Sequence, residues 1–395
     1  MKTLVVDLTS LDTPSRRRGT GRYVRDLALG LAQLPTSVLG GLRLIGLTHL
    51  DADGEFRTTE DLASFEGSPE IPLPTAQHHY RWSYARRLGL FRALRRIGAD
   101  AVHLGDPHAT PLLMGLSRCR RIVTCHDAIP MHFPKRYMGW RDGGPLIGSA
   151  IERRRYRSAD WVVAISDATL NDVLTIHGVP KERAVRVYNG VDVERWAMNP
   201  KLDHGETLSH FGLEDQAYAL FVGGFHWHKN VDGMVAGLAR ARATGANVTL
   251  VWAGQLSQAQ QQIIHTAADR ASVSDHLRLI GYVSDEQIAV LYRHALAHTL
   301  LSRFEGFGLT VIEAMASGCP VITTRAGSLA EIAGDAAITV DPEDHEAIGQ
   351  ALYTLATSAQ ARADYIRRGQ ARAPLFSLDV QARAMVAAYH QFLDC

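Results

Sequence analysis

The sequence predicts an α/β protein with parallel strands, long enough for two domains, and three observations point there. Short apolar runs, among them Lys2 to Leu8, Arg121 to Cys125, Tyr218 to Val222 and Val321 to Thr324, have the length and composition of strands in a parallel sheet. Several of these runs pass through a glycine-containing loop into a helical segment, as βαβ units do. The 395 residues are enough for two domains of ordinary size, and the charge divides along the chain. Residues 1–193 hold 27 Lys/Arg and 20 Asp/Glu, and residues 194–395 hold 15 and 21, so halves of +7 and −6 make up the net +1. A basic first half and an acidic second half suit different partners.

Composition narrows the class. Hydrophobic content of 46% and charged content of 21% are those of a globular protein. No apolar run reaches the length of a membrane span, and MKTLVVDLTS opens on a strand without the layout of a signal peptide. Cys119, Cys125, Cys319 and Cys395 have neither CxxC spacing nor the density of a disulfide framework, and read as free thiols of a reducing compartment.

Lys2 to Leu8 is the first strand, followed by a loop, Thr9 to Gly21, and a helix from about Arg22 to Leu34. The loop ends RRRGTGRYV. Gly19-Thr20-Gly21 before a helix could cradle a diphosphate, although the third glycine of a dinucleotide fingerprint is missing. Leu42 to Leu50 is the next strand. Asp51-Ala52-Asp53-Gly54 after it reads as a hairpin-type Asp-Gly turn, although Asp-x-Asp also occurs as a metal motif. Residues 55–79 are polar and contain proline, and read as loop. His78 to Ile97 forms an amphipathic helix with six arginines, suited to cover the domain core and also to lie on an anionic membrane. Asp100 to Leu104 and Arg121 to Cys125 are strand cores. His126 follows the second, at the carboxyl end where open α/β sheets bind ligands. After the strand Trp161 to Ile165, Ser166-Asp167 caps a helix.

Met198 to Leu208 is polar and reads as the linker. Tyr218 to Val222 then runs into Gly223-Gly224-Phe225-His226-Trp227-His228-Lys229-Asn230 and a helix from Val231. A lysine at a helix start beyond a strand end is a second phosphate-type site. His226 and His228 have no carboxylate or thiol nearby in sequence, so no metal is expected there. Val248 to Ala253 and Leu277 to Ile280 are further strands. The chain is organised around LSRFEGFGLTVIEAMASGCPVITTRAG, Leu301 to Gly327. Glu305 opens a glycine-rich turn that feeds a helix from about Leu309 to Ser317, and the first N–H groups of such a helix, backed by its dipole, attract an anion. Glu305 and Glu313 are eight residues apart, a little over two helical turns, so they can flank that anion. A sugar, a phosphate and a ribose fit the series carboxylate, cradle, carboxylate.

Glu305, seven intervening residues and Glu313, within EGFGLTVIEAMASGCPVITT, closely resemble the donor-site signature of family 4 retaining glycosyltransferases. That family has the GT-B architecture, two Rossmann-like domains with parallel sheets facing across a cleft. GTGRYV at 19–24, HDAIP at 126–130, NGVD at 189–192, the loop ending Lys229-Asn230 and GYV at 281–283 resemble further segments of it. The resemblance spans nearly the whole chain and is more specific in the second half. Arginines common in the Lys229 loop are absent, with His228, Arg303 or Arg325 as substitutes.

The resemblance implies a first domain over 1–193, on the acceptor side, and a donor-binding domain over 200–376. A C-terminal helix within about 377–395 would return to the first domain. It implies a catalytic set of Glu305, Lys229 and His126, and donor contacts from Gly21, Gly224, His228, Lys229, Tyr282, Val283, Glu305, Gly306, Phe307, Gly308, Leu309 and Glu313. Protein cations replace a metal, and no cofactor is needed. The partners are a nucleotide sugar and a glycan or lipid-linked acceptor, with peripheral contact to an anionic membrane at its cytoplasmic face and no nucleic acid. Mannose from GDP-mannose is the first reading of the donor, in bacterial polysaccharide synthesis. A UDP-sugar is the next, and a sugar-nucleotide epimerase is the alternative on the same fold. An NAD-dependent oxidoreductase would need the missing third glycine and an acidic residue about 20 positions on.

The basic helix generates a testable expectation. The protein should sediment with anionic vesicles at low salt and not with neutral ones. Each basic side chain near the surface contributes about 1 kcal/mol, and salt removes most of it. Replacing Arg86, Arg87, Arg95 and Arg96 with Gln should abolish this binding and leave nucleotide binding intact. Equal sedimentation with both vesicle types would show that the helix serves the core alone.

Overall fold

The computed structural model describes residues 1–12, 19–50, 56–63, 89–106, 119–139, 144–198 and 202–393. Its strands are β1 (Lys2–Asp7), β2 (Leu42–Leu50), β3 (Phe56–Thr59), β4 (Ala101–Leu104), β5 (Arg120–Cys125), β6 (Trp161–Ala164) and β7 (Ala184–Arg186). They are followed by β8 (Tyr218–Val222), β9 (Thr249–Ala253), β10 (Leu277–Gly281), β11 (Ala297–Leu300), β12 (Val321–Thr324) and β13 (Ile338–Val340). They form two sheets, ordered β3-β2-β1-β4-β5-β6-β7 and β10-β9-β8-β11-β12-β13. Every pairing is parallel except that of β3 with β2. The chain divides into two compact units, residues 1–190 with 377–395, and residues 191–376.

The central strands explain their own burial. Leu4, Val5, Val102, Ile122 and Val162 in the first sheet, and Leu220, Phe221, Val251, Trp252, Val321 and Ile322 in the second, are fully buried. Helices cover both faces of such a sheet, which is why apolar residues follow one another without polar alternation. Ser166 accepts a hydrogen bond from Thr169 N at the start of the helix Asp167–Thr175, the cap its sequence suggests.

In the first unit, the helix Leu378–Leu393 supplies core contacts to residues far earlier in the chain. Phe392 stacks on Trp161 with ring centroids 5.0 Å apart, and Tyr389 Oη lies 2.7 Å from His103 Nδ1. A Cβ on Gly30 would stand 2.8 Å from the Leu378 carbonyl oxygen, so this helix approaches the helix Gly19–Gln33 closely.

Two elements differ from their sequence reading. Gly19-Thr20-Gly21 is the first turn of a helix, not the end of a loop, and Gly21 is buried inside it. Phe56–Thr59 is a strand where polar residues suggest loop. It pairs with β2 at Gly46↔Thr59, and its one apolar side chain, Phe56, is buried. The basic helix is seen over 89–97, while 78–88, with Arg86 and Arg87, and the turn 51–55 lie outside the described residues.

The second unit depends on one unusually close helix pair. The helices Val231–Ala243 and His345–Thr357 cross where a Cβ on Gly237 would lie 2.1 Å from Ile348 Cγ2 and 2.8 Å from its Cβ. Because Ile348 is β-branched, it has little rotamer freedom with which to yield. Gly237→Ala should therefore destabilise the protein by about 1–3 kcal/mol through overpacking, read as a lower Tm. An unchanged Tm would contradict this contact.

Candidate functional site

The strand order of the second sheet reverses between β8 and β11. From β8 the chain moves outward through β9 to β10, then returns to β11 and moves the other way. Loops leaving neighbouring strands in opposite directions open a crevice at their carboxyl ends, where open α/β sheets place ligands. The two loops at this point are 223–230 and 301–308, the two phosphate-type segments of the sequence.

A short ion pair joins them. Lys229 Nζ lies 2.7 Å from Glu305 Oε1, and Ser302 Oγ donates to the same oxygen at 2.5 Å. Glu305 is only 8% exposed. Burial favours its neutral form, but the nearby Lys229 and His228, with the hydrogen bonds from Lys229 and Ser302, outweigh that and hold the carboxyl below its usual range. Burial also pushes His228 down, to about 4. Glu305 opposes this, while Lys229 and His226 add to it. His228 is therefore neutral near pH 7, and the positive charge facing Glu305 is that of Lys229.

Each end of the pair is fixed from behind. Lys229 closes a 3₁₀ turn, Trp227–Lys229, and Asn230 follows it in the left-handed region at φ 58°. Asn230 Nδ2 donates to the Pro342 carbonyl at 2.7 Å, and its Oδ1 accepts from Gly233 N, capping the helix Val231–Ala243. Arg303 N donates to the His228 carbonyl at 2.7 Å, which ties the two loops by backbone as well. Its guanidinium donates to Glu343 Oε1 at 2.6 Å and to the Trp227 carbonyl at 3.2 Å. Arg303 is a clamp between loops in this geometry. Arg325, at the end of β12, is exposed.

Behind Glu305, Ser328 N donates to its carbonyl at 3.1 Å, and the single Ser328 hydroxyl proton is shared between the Glu305 carbonyl at 3.1 Å and the Phe307 carbonyl at 2.9 Å. Gly327, at φ +61°, lies so close that a Cβ would meet the Glu305 carbonyl oxygen at 2.3 Å. Gly308, at φ +102°, then turns the chain into the helix Leu309–Ala316, whose start no side chain caps. Glycine adopts both conformations without the steric cost other residues carry. The result is a helix N-terminus aimed from a braced turn, 305–308, beside an ammonium group. That combination can hold a phosphate.

The other sequence-predicted residues of this unit lie in the helix and at neighbouring strand ends. Glu313 sits within the helix Leu309–Ala316 and is 2% exposed. Gly224 follows β8, and Tyr282 and Val283 follow β10; Tyr282 is 63% exposed and Val283 is buried. Backbone bonds from Gly223 N to the Ala253 carbonyl and from Gly254 N to the Gly281 carbonyl link these ends. Among the described residues, no three His, Cys, Asp or Glu side chains are grouped as metal ligands.

Gly21 and His126 belong to the first unit. There the strand order reverses between β1 and β4. His126 Nε2 lies 2.6 Å from the Gly105 carbonyl, which follows β4, and so carries a proton to donate. The Tyr23 ring meets the His126 imidazole edge-on at 4.9 Å. Tyr23 Oη, Thr124 Oγ1, His103 and Tyr389 Oη form one buried chain with links of 2.8, 2.8 and 2.7 Å. Burial, with a smaller effect from His126, lowers His103 to about 3, so the chain is uncharged.

Sequence reasoning missed Ser302, Ser328, Gly327 as a brace, and the role of Asn230. Ser328, Gly327 and Asn230 act through partners far away in sequence, whereas Ser302 acts on Glu305, three residues on. The signal nearest to hand was Gly327-Ser328 beyond Val321 to Thr324, a small-residue turn at a strand end.

An anion cradle, a lysine–glutamate pair and a doubly wound sheet at its switch point suit a phosphate-bearing ligand, and the two parallel sheets are those of a GT-B fold. The family comparisons agree. The model described as Glycosyltransferase Family 4 matches residues 17–195, and that described as Glycosyl transferases group 1 matches residues 209–372. Together they span both units, and the chain belongs to glycosyltransferase family 4. It is 28% identical to the O-antigen chain mannosyltransferase B of Escherichia coli, over 68% of this chain and 70% of that protein. It is 29% identical to a glycogen synthase of Mycobacterium tuberculosis, over 89% of this chain and 86% of that protein. The sucrose-phosphate synthase structure from Thermosynechococcus elongatus superposes with a TM-score of 0.76 over 100% of both chains, at 18% identity, which is a likeness of fold. The protein is a glycosyltransferase.

The ion pair sets a pH signature. Glu305 titrates lower folded than unfolded, so its contribution to stability is present above the ordinary carboxyl range and is lost as pH falls through the folded value. Lys229→Met should cost about 1–3 kcal/mol at pH 7, the penalty for leaving a buried charged partner unpaired. The difference from wild type should shrink near pH 4, where Glu305 of the variant takes up a proton. Denaturant midpoints that differ equally at both pH values would show that the pair does not stabilise the fold.

Proposed function

We propose that this glycosyltransferase moves mannose from GDP-mannose, with retention of the anomeric configuration, to a glycan or lipid-linked acceptor in bacterial polysaccharide synthesis. The observation that carries the donor site is the Lys229–Glu305 pair beside the uncapped N-terminus of the helix Leu309–Ala316, at the switch point of the second sheet. Support for mannose comes from the similarity to the O-antigen chain mannosyltransferase B.

In this reading the second unit binds the donor and the first presents the acceptor. The diphosphate lies at the turn 305–308, against the first N–H groups of the helix and the Lys229 ammonium. Lysine has three donors and Glu305 takes one, so two remain for phosphate oxygens. Glu305 receives donor-sugar hydroxyls, Glu313 the ribose hydroxyls, and Tyr282 and Val283 lie by the base. The bond from the sugar's anomeric carbon to the phosphate oxygen breaks as the acceptor oxygen bonds the same carbon from the same face. The acceptor's proton passes to the departing phosphate oxygen, and GDP leaves with the bonding pair. Negative charge builds on that oxygen, and Lys229 with the turn's N–H groups stabilises it as it grows. His126, whose Nε2 proton bonds the Gly105 carbonyl, is the first unit's catalytic candidate in this reading. Lys229 supplies the charge for which no metal is needed.

Purified protein should release nucleoside diphosphate from GDP-mannose in the presence of acceptor glycan, and GDP should raise its Tm more than UDP or ADP. Lys229→Ala should lower turnover by on the order of a hundredfold or more. Glu305→Ala should abolish transfer, and Glu313→Ala should weaken nucleotide binding by roughly 1–3 kcal/mol. Activity should persist in EDTA. A larger shift with UDP would move the donor to a UDP-sugar, and near wild-type kinetics in both glutamate variants would reject the site.

A further inference from the structure

The strand that carries the carboxyl-end loop of the donor site holds a buried histidine which that function leaves unused. His298 lies in β11, fully buried, in register with Leu220 of β8. Its Nδ1 is 3.0 Å from the Leu220 carbonyl, and its Nε2 is 3.1 Å from Thr310 Oγ1. A carbonyl can only accept, so Nδ1 carries the proton. Burial lowers the ring to about 4, against the Leu220 bond, which raises it, so the imidazole is neutral and Nε2 has a lone pair to offer. The Thr310 hydroxyl therefore donates to His298.

Thr310 is the second residue of the helix Leu309–Ala316, and Gly308 before it provides no side-chain cap. A helix that keeps its N-terminus for a ligand must be held by other means, because a side-chain cap would occupy the same N–H groups. His298 holds it from beneath. Tyr292 packs edge-on against the His298 ring at 5.3 Å, and its hydroxyl reaches the Thr310 carbonyl at 3.4 Å. The three side chains bind the helix's first turn to the two strands that flank the crevice.

We infer that His298 and Thr310 are positioning residues that fix the first turn of the helix Leu309–Ala316 on β8 and β11, so that its N–H groups meet a diphosphate. This deepens the donor-site reading and rests on it. The hydroxyl itself does not touch the ligand. It transmits the position of the strands to the helix start.

The test uses the full chain and whichever of GDP, UDP and ADP wild type binds most tightly by titration calorimetry, together with the matching nucleoside. Thr310→Val, which keeps volume and removes the donor, should raise the Kd for the diphosphate roughly tenfold or more, about the loss of one hydrogen bond's worth of positioning. The nucleoside, which does not reach the helix start, should bind as it does to wild type. Thr310→Ser restores the hydroxyl and should restore diphosphate affinity. If Thr310→Val does not fold, Thr310→Ala serves in its place. Wild-type diphosphate affinity in the Val variant, or equal losses for diphosphate and nucleoside, overturns the inference while leaving the donor site standing. Failure of wild type to bind any of the three diphosphates overturns both.

Discussion

The second unit depends on keeping an ionised carboxylate almost out of water. Glu305 is tolerable there only because Lys229 and Ser302 both bond Oε1. That requirement links two loops that the strand order would otherwise send apart. Asn230 in its left-handed conformation, the Arg303 clamp, the glycine at 327 and Ser328 all act on one end of the pair or the other. Removing a brace lets the partners separate in a medium where separation is expensive. The same arrangement is prepared for a ligand, since Lys229 is only part-buried and an incoming anion can share its charge without first displacing a solvated glutamate.

The first unit meets a comparable need without ions. Tyr389, His103, Thr124 and Tyr23 run through its interior as neutral groups, each a donor or acceptor for the next, and end against the His126 ring. A satisfied neutral chain rigidifies a core with less desolvation cost than a charged pair. One unit thus concentrates fixed charge at its strand ends, while the other orients an imidazole by packing and hydrogen bonds.

What was legible in the sequence follows from range. Strands such as Tyr218–Val222 and Val321–Thr324 announce themselves because burial on both faces leaves only apolar residues. Glu305, Lys229 and the turn between Glu305 and Leu309 were legible because a glycine-rich loop before a helix is a local pattern. Phe56–Thr59 was not, since an edge strand needs only one buried side chain, and Arg57 and Thr58 look like loop. Gly19-Thr20-Gly21 reads as loop by propensity, yet packing of Tyr23, Val24 and Leu27 in the core draws the helix back over it. β11 carries His298 and Thr299, whose polarity hides a fully buried strand. Both bond the Leu220 carbonyl of β8, and no short window of sequence contains these partners.

The placement of the helix Leu378–Leu393 has a consequence for biosynthesis. The second unit is one unbroken stretch, 191–376, whereas the first is completed by residues that follow it. As the chain emerges from a ribosome, residues 191–376 have all their partners before Tyr389 and Phe392 exist to meet His103 and Trp161. The groove along the helix Gly19–Gln33 can be filled only once the helix Leu378–Leu393 has been made, so completing the unit that holds the first strand depends on a segment translated after the whole of the second unit.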